Sequence, residues 1–158
     1  MYTTNKLFQL VALFVSSLFI SCGGGSESES SDAEAPKSMV AEEVSEDPLQ
    51  NKGIGPVKSV TLGETVDEAM AEKGAEIFNQ MCSACHKAET RYIGPAPKDI
   101  LSRRSPEWVM NMILNPDVMI VKDPIAKKLL AEYNGAPMAN QNLTEEQARD
   151  LLEYFRTL

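Results

Sequence analysis

From residue 65 onward, apolar residues recur at helical spacing, and no stretch shows the sustained alternation of a strand. Val66, Met70, Gly74, Ile77, Phe78 and Met81 form a stripe on a helix that runs straight into Cys82. Its start reads TVDE, a capping box in which Thr65 accepts from an amide three residues on and Glu68 reaches back. SPEW opens a second helix, with Ser105 as N-cap and Pro106 at the first helical position, and the NP at 115–116 ends it. DPIAKKLLAEYNG repeats the device: Asp123 caps, Pro124 starts, Asn134 and Gly135 stop. TEEQARDLLEYFRTL is a last helix, with a capping box from Thr144 to Gln147 and a stripe of Ala148, Leu151, Leu152, Phe155 and Leu158. HKAETRYIGPAPKDI, NPDVMIVKD and APMANQN read as irregular connections. The pattern predicts a small all-α domain of about four helices over residues 66–158.

The first 65 residues have another texture. LFQLVALFVSSLFIS is an apolar run behind a short polar start with one positive charge, and it leads straight into CGGGSESESS. It reads as an export signal over residues 1–21. A cysteine at its end, after the small Ser21, resembles a bacterial lipoprotein signal, which implies cleavage before Cys22 and lipidation of that residue. A plain secretory signal or a retained membrane anchor are the other readings. All three place the head outside the cytoplasm, on the periplasmic side if the cell has two membranes. Residues 22–65 are rich in Gly, Ser and Glu and contain no aromatic residue, so they cannot build a core. They predict a flexible tether with a root-mean-square reach of about 33–40 Å. Its last part, GIGPVKSVTLGE, is less polar and is placed against the head.

Charge sharpens this division. The 158-residue chain carries a net −8. The tether has nine acids and three bases, and the head has fourteen and eleven. That balance excludes a nucleic-acid binder, which needs a basic face. The head has short helices, long connections and no disulfide to spare, so a bulky cofactor is expected to complete its core.

The candidate chemistry lies in MCSACHK, residues 81–87. A redox dithiol belongs at a helix start among alternating strands and helices, whereas these cysteines follow a helix in an all-α chain. Zinc needs three or four ligands, and beyond Cys82, Cys85 and His86 the head has no other Cys or His. A Cys82–Cys85 disulfide satisfies the spacing but gives His86 no role. Haem uses all three: Cys82 and Cys85 form thioethers to one edge of the macrocycle, and His86 turns its ring to the iron. The three cysteines are then accounted for, one for lipid and two for a single covalent haem c.

The stretch KGAEIFNQMCSACH, with IGPAP, APMANQ and LLEYFRTL further on, resembles a class I cytochrome c over residues 66–158. The resemblance implies a cytochrome c-like fold around one haem. It places Gly74 and Phe78 where the first helix crosses the last, opposite Tyr154 or Phe155. It gives Gly94 and Pro95 the backbone carbonyl that orients the ligand histidine. The head has no second histidine, so the sixth ligand is a methionine from among Met70, Met81, Met110, Met112, Met119 and Met138. Met138, in a proline-stiffened loop before the last helix, matches the family's axial position; Met119 is the main rival. Arg103, Arg104 and Trp108 are candidates for holding the propionates.

A thioether closes the iron and favours its ferrous state. The implied function is a one-electron carrier rather than an enzyme, with no small-molecule substrate. Its partners would be a quinol-oxidising complex as donor and a terminal oxidase or reductase as acceptor. RRSPEWVMNMILNP and YNGAPMANQNLT are similar to small cytochromes found with nitrous oxide reductases. Lys87, Arg91, Lys98, Arg103 and Arg104 against two acids over residues 86–104 are either a docking rim for an acidic partner or a solvated mixed surface. The alternative function is a haem enzyme or sensor whose sixth ligand leaves.

Overall fold

The computed structural model describes residues 45–158; the signal-like segment, Cys22 and the tether as far as residue 44 lie outside the described residues. Five α-helices carry the fold, and no strand occurs among the described residues. α1 spans Glu68–Ile77 and continues without a break into a π-helical turn, Phe78–Cys82. The wider turn closes where the Ser83 amide donates to the Phe78 carbonyl at 2.9 Å. It delivers the chain directly into the Cys-x-x-Cys-His motif, and single π turns of this kind cluster at functional sites.

The cap of α1 is Asp67, not Thr65. The Asp67 side chain accepts from the Met70 amide at 3.0 Å. The Asp67 amide itself donates to Glu153 at 3.2 Å, which holds this residue at the helix entry. The Thr65 carbonyl accepts from Arg156 instead.

Ser105, Asp123 and Thr144 cap as their sequences predict, opening α2 (Pro106–Leu114), α4 (Pro124–Glu132) and α5 (Glu145–Phe155). α4 stops at Asn134 and Gly135, which take φ of 58° and 73°. NPDVMIVKD is not irregular: Pro116–Lys122 forms α3, which brings the count to five. A proline at the first helical position lacks only an amide that would have no partner there, so Pro116 ends one helix and starts the next.

The core lies where α1 crosses α5. A Cβ on Gly74 would run into the Asp150 backbone carbonyl and come within 2.9 Å of the Tyr154 Cβ, so only glycine permits this approach. Four residues on, Phe78 packs on both Tyr154 and Phe155, with ring centroids 5.4 and 6.0 Å apart. Trp108, Val109 and Ile113 of α2 and Ala148, Leu151 and Leu152 of α5 fill the space behind it.

Among the described residues, packing extends back at least to Asn51, which is buried. The segment after it lies against α2 and α3, as expected for its less polar end, but polar groups hold it. The buried Asn111 side chain accepts from the Val57 amide and donates to the carbonyls of Lys52 and Val57. Asn115 donates to the Ile54 carbonyl, and Arg156 to those of Gly63 and Thr65. Single buried amides of this kind leave no hydrophobic period, which is why the stretch reads as tether.

Glu153 ties the two crossing helices. It is 1 % exposed and pairs with Arg149 and Arg156 as well as the Asp67 amide. Burial alone would raise its carboxyl, but the Arg149 guanidinium, the Asp67 amide and Arg156 outweigh that and hold it below its ordinary value. Glu153→Gln is expected to cost about 3 kcal/mol in denaturant unfolding at neutral pH, since two guanidiniums lose their counter-charge. A depressed carboxyl stabilises above its ordinary value and is lost as pH falls through the folded one. The difference between wild type and variant should therefore shrink in acid.

Candidate functional site

One apolar cleft opens between the motif, α2, α4 and the loop before α5, and holds about 1460 Å³ of empty space that includes its open mouth. Cys82, Cys85, His86, Pro95, Arg103, Arg104, Trp108 and Met138 all line it. The sequence scatters these residues over 57 positions, from 82 to 138, and the fold brings them to one surface.

The motif is a tight turn on the end of the π-helical segment. The amides of Cys85 and His86 donate to the Cys82 carbonyl at 3.0 and 2.8 Å. Both thiols are free, Cys82 half-buried and Cys85 exposed. Burial pushes the Cys82 thiol up to about 11, the opposite of the lowered value a redox dithiol uses.

His86 is fixed by its surroundings. Its Nδ1 lies 2.8 Å from the Pro95 carbonyl oxygen. A carbonyl only accepts, so Nδ1 carries the proton and Nε2 keeps its lone pair for a metal. Gly94 makes the approach: a Cβ there would sit 2.8 Å from Nδ1 and 2.9 Å from Nε2. The Gly94 amide in turn donates to the Cys85 carbonyl at 2.9 Å, closing the loop back on the motif.

Of the methionine candidates, Met81, Met112 and Met138 line the cleft. Met119 does not: it is fully buried on α3, with its sulfur 3.0 Å from the Ile54 amide. Met110 faces the core, and Met70 lies on α1 away from the cleft.

The three propionate candidates differ in what their donors do. The Trp108 indole N–H donates to buried Asp123 at 3.1 Å. Arg103 Nη2 donates to the carbonyls of Ala96 and Lys98. Arg104 lies over the Trp108 ring, 5.2 Å from its centroid, and its buried Nε has no partner. Burial lowers the Arg104 guanidinium and neighbouring Arg103 lowers it further, against the opposing pull of Asp123 and Glu132. Around the mouth, Arg91 pairs with Glu132 and Lys98 with Glu89, both at 3.5 Å. Met81, Tyr92 and Ile93 stay exposed beside the motif.

These residues fit a haem. The cleft is apolar, the donor set is two thiols, one imidazole nitrogen and one thioether, and Arg104 on its wall has a buried guanidinium N–H without a partner. Residues missed in the sequence are those that shape the cleft without chemistry of their own, such as Ile120 and Leu129, and Asp123, which reads only as a helix cap.

Comparison with known proteins agrees with this geometry. The cytochrome c family model matches residues 71–158. The chain is 50% identical to a cytochrome c from Rhodothermus marinus, with a TM-score of 0.63 over 65% of this chain and 88% of that one. It is 48% identical to an engineered cytochrome c from the same organism bound to a carbene intermediate, with a TM-score of 0.60 over 65% of this chain and 88% of that chain. Cytochrome c-551 of Ectopseudomonas mendocina is 28% identical over 86 residues, which are 54% of this chain and 96% of that relative. A family model that spans more than half of the chain, on an all-helical fold of the same kind, shows that it belongs to the cytochrome c family, as a class I monohaem member with one covalently bound haem c.

Proposed function

We propose that Cys82 and Cys85 carry the haem thioethers, that His86 and Met138 are the axial ligands, and that Arg104 receives a propionate. Transfer of electrons to and from redox proteins is the general activity of the family. When bound, the haem supplies a one-electron Fe(III)/Fe(II) couple. The chain's residues do the rest. Pro95 holds the His86 tautomer, the apolar wall excludes water, and the Met138 thioether favours the ferrous state. The observation that carries this reading is the convergence of both cysteines, the oriented His86 and Met138 on one cleft. Met138 is preferred to Met112 because it sits in a loop that can bring its sulfur inward, whereas Met112 is fixed on α2.

The finer picture is an exported carrier on the periplasmic side, lipidated at Cys22 and tethered to a membrane by the acidic segment after it. It would take electrons from a quinol-oxidising complex and deliver them to a terminal oxidase or reductase, nitrous oxide reductase being the acceptor suggested by sequence likeness. The exposed Met81, Tyr92 and Ile93 beside the motif offer the apolar contact such a partner needs.

A second reading draws on the engineered relative that holds a carbene intermediate: a sixth ligand that leaves and admits small molecules. Carbon monoxide added to the reduced native protein separates the two. The carrier is expected to bind it slowly and incompletely, and rapid stoichiometric binding would favour the second reading. Reduction and oxidation by purified candidate complexes then tests the partners.

A further inference from the structure

Asp123 is buried at 0 % exposure immediately behind the cleft wall. Its Oδ1 accepts from the Trp108 indole at 3.1 Å and the Ala126 amide at 2.8 Å, and both residues line the cleft. Its Oδ2 accepts from Asn51 Nδ2 at 2.7 Å. Three donors and no acceptor are the bonding pattern of an ionised carboxylate. A cap on α4 needs only the Ala126 bond, and the other two go beyond capping. Asn51 comes from the segment before the helices, and its carbonyl accepts from Ser105, the cap of α2. The carboxylate thus joins that segment to the indole on which Arg104 lies.

We propose that Asp123 is a positioning residue for the redox site: a buried negative charge that lowers the potential of the haem and serves as counter-charge to Arg104, with Asn51 moderating it. The inference rests on the haem occupying the cleft. Ferric haem carries one positive charge more than ferrous, so an anion behind the wall favours the ferric state. In a low-dielectric interior that influence is little screened by salt. The electrostatic influence of Asp123 on Arg104 agrees with this placement.

The test is the midpoint potential of the purified holoprotein, wild type against two variants, at low and at molar salt. Asp123→Asn keeps one oxygen for the cap and the indole and removes the charge; like Asn51→Ala it also gives up the bond between the two residues, because an amide nitrogen cannot accept from Asn51 Nδ2. It is expected to shift the Fe(III)/Fe(II) equilibrium about tenfold toward ferrous, a rise of about 59 mV for one electron. Asn51→Ala removes a donor, leaves the charge less neutralised, and is expected to lower the potential. Both shifts should persist at molar salt. A structural role alone would move the two variants the same way, or move unfolding and not potential; either result overturns the inference. If Asp123→Asn does not fold, a potential of Asn51→Ala that stays at or above wild type overturns it as well. The axial assignment is checked separately by the ferric absorption spectrum. A variant that keeps its covalent haem and native spectrum but has wild-type potential refutes the role of Asp123 and leaves the ligands standing.

Discussion

Met138→Ala is expected to convert a closed haem into an open one. The variant should keep its haem covalently, because the cysteines are untouched, and the apolar cleft should still form around it. Its reduced form should bind carbon monoxide rapidly and stoichiometrically. On the proposed assignment, loss of the thioether removes the ligand that favours ferrous iron. The midpoint potential should therefore fall by at least a hundredfold in the Fe(III)/Fe(II) equilibrium, about 120 mV at about 59 mV per decade. Met112 also lines the cleft, so Met112→Ala is the matched control. It should leave potential and carbon monoxide binding close to wild type. The opposite result, with Met112→Ala opening the iron and Met138→Ala silent, would transfer the sixth ligand to α2.

Gly74→Ala is expected to be among the most destabilising single-methyl changes in the chain. The added carbon would meet the backbone carbonyl of Asp150, and backbone cannot rotate aside as a side-chain tip can. The two helices must separate, which loosens Phe78 from Tyr154 and Phe155 and disturbs the cleft wall that Phe78 and Phe155 line. Overpacking of this kind costs about 3 kcal/mol. Gly74→Val should cost more and leave little folded protein at growth temperature. Thermal unfolding of the oxidised holoprotein measures the first, and yield of coloured protein the second. A Gly74→Ala protein with wild-type melting would mean that the crossing is looser than this geometry.

Much of this was legible in the residues. Cys82, Cys85 and His86 are adjacent in sequence, and their chemistry follows from side-chain type and spacing. Helix caps are equally local: Ser105, Asp123 and Thr144 each bond an amide within three residues, so their roles could be read without a fold. The misreadings have physical causes. Thr65 lost the cap of α1 to Asp67 because Glu153, 86 positions away, holds the Asp67 amide. NPDVMIVKD is too short for a helical period to show, and its helix exists because Met119 can be buried against Ile54 and Trp108. That residues 53–64 lie against the head was expected from their lower polarity, but what holds them was not legible, because the groups are lone buried amides on other elements.

The candidate site divides along the same line. The proposed attachment and ligation depend on what a sulfur or an imidazole is, and on that proposal one motif with one methionine loop contains them. Orientation depends on distance. The bond from His86 to Pro95, the clearance at Gly94, the free Arg104 N–H and the enclosed Asp123 arise only when separate segments pack. Chemical identity is carried by single residues and survives in a linear string. Burial, tautomer and charge pairing are properties of neighbourhoods, and the folded chain alone creates those.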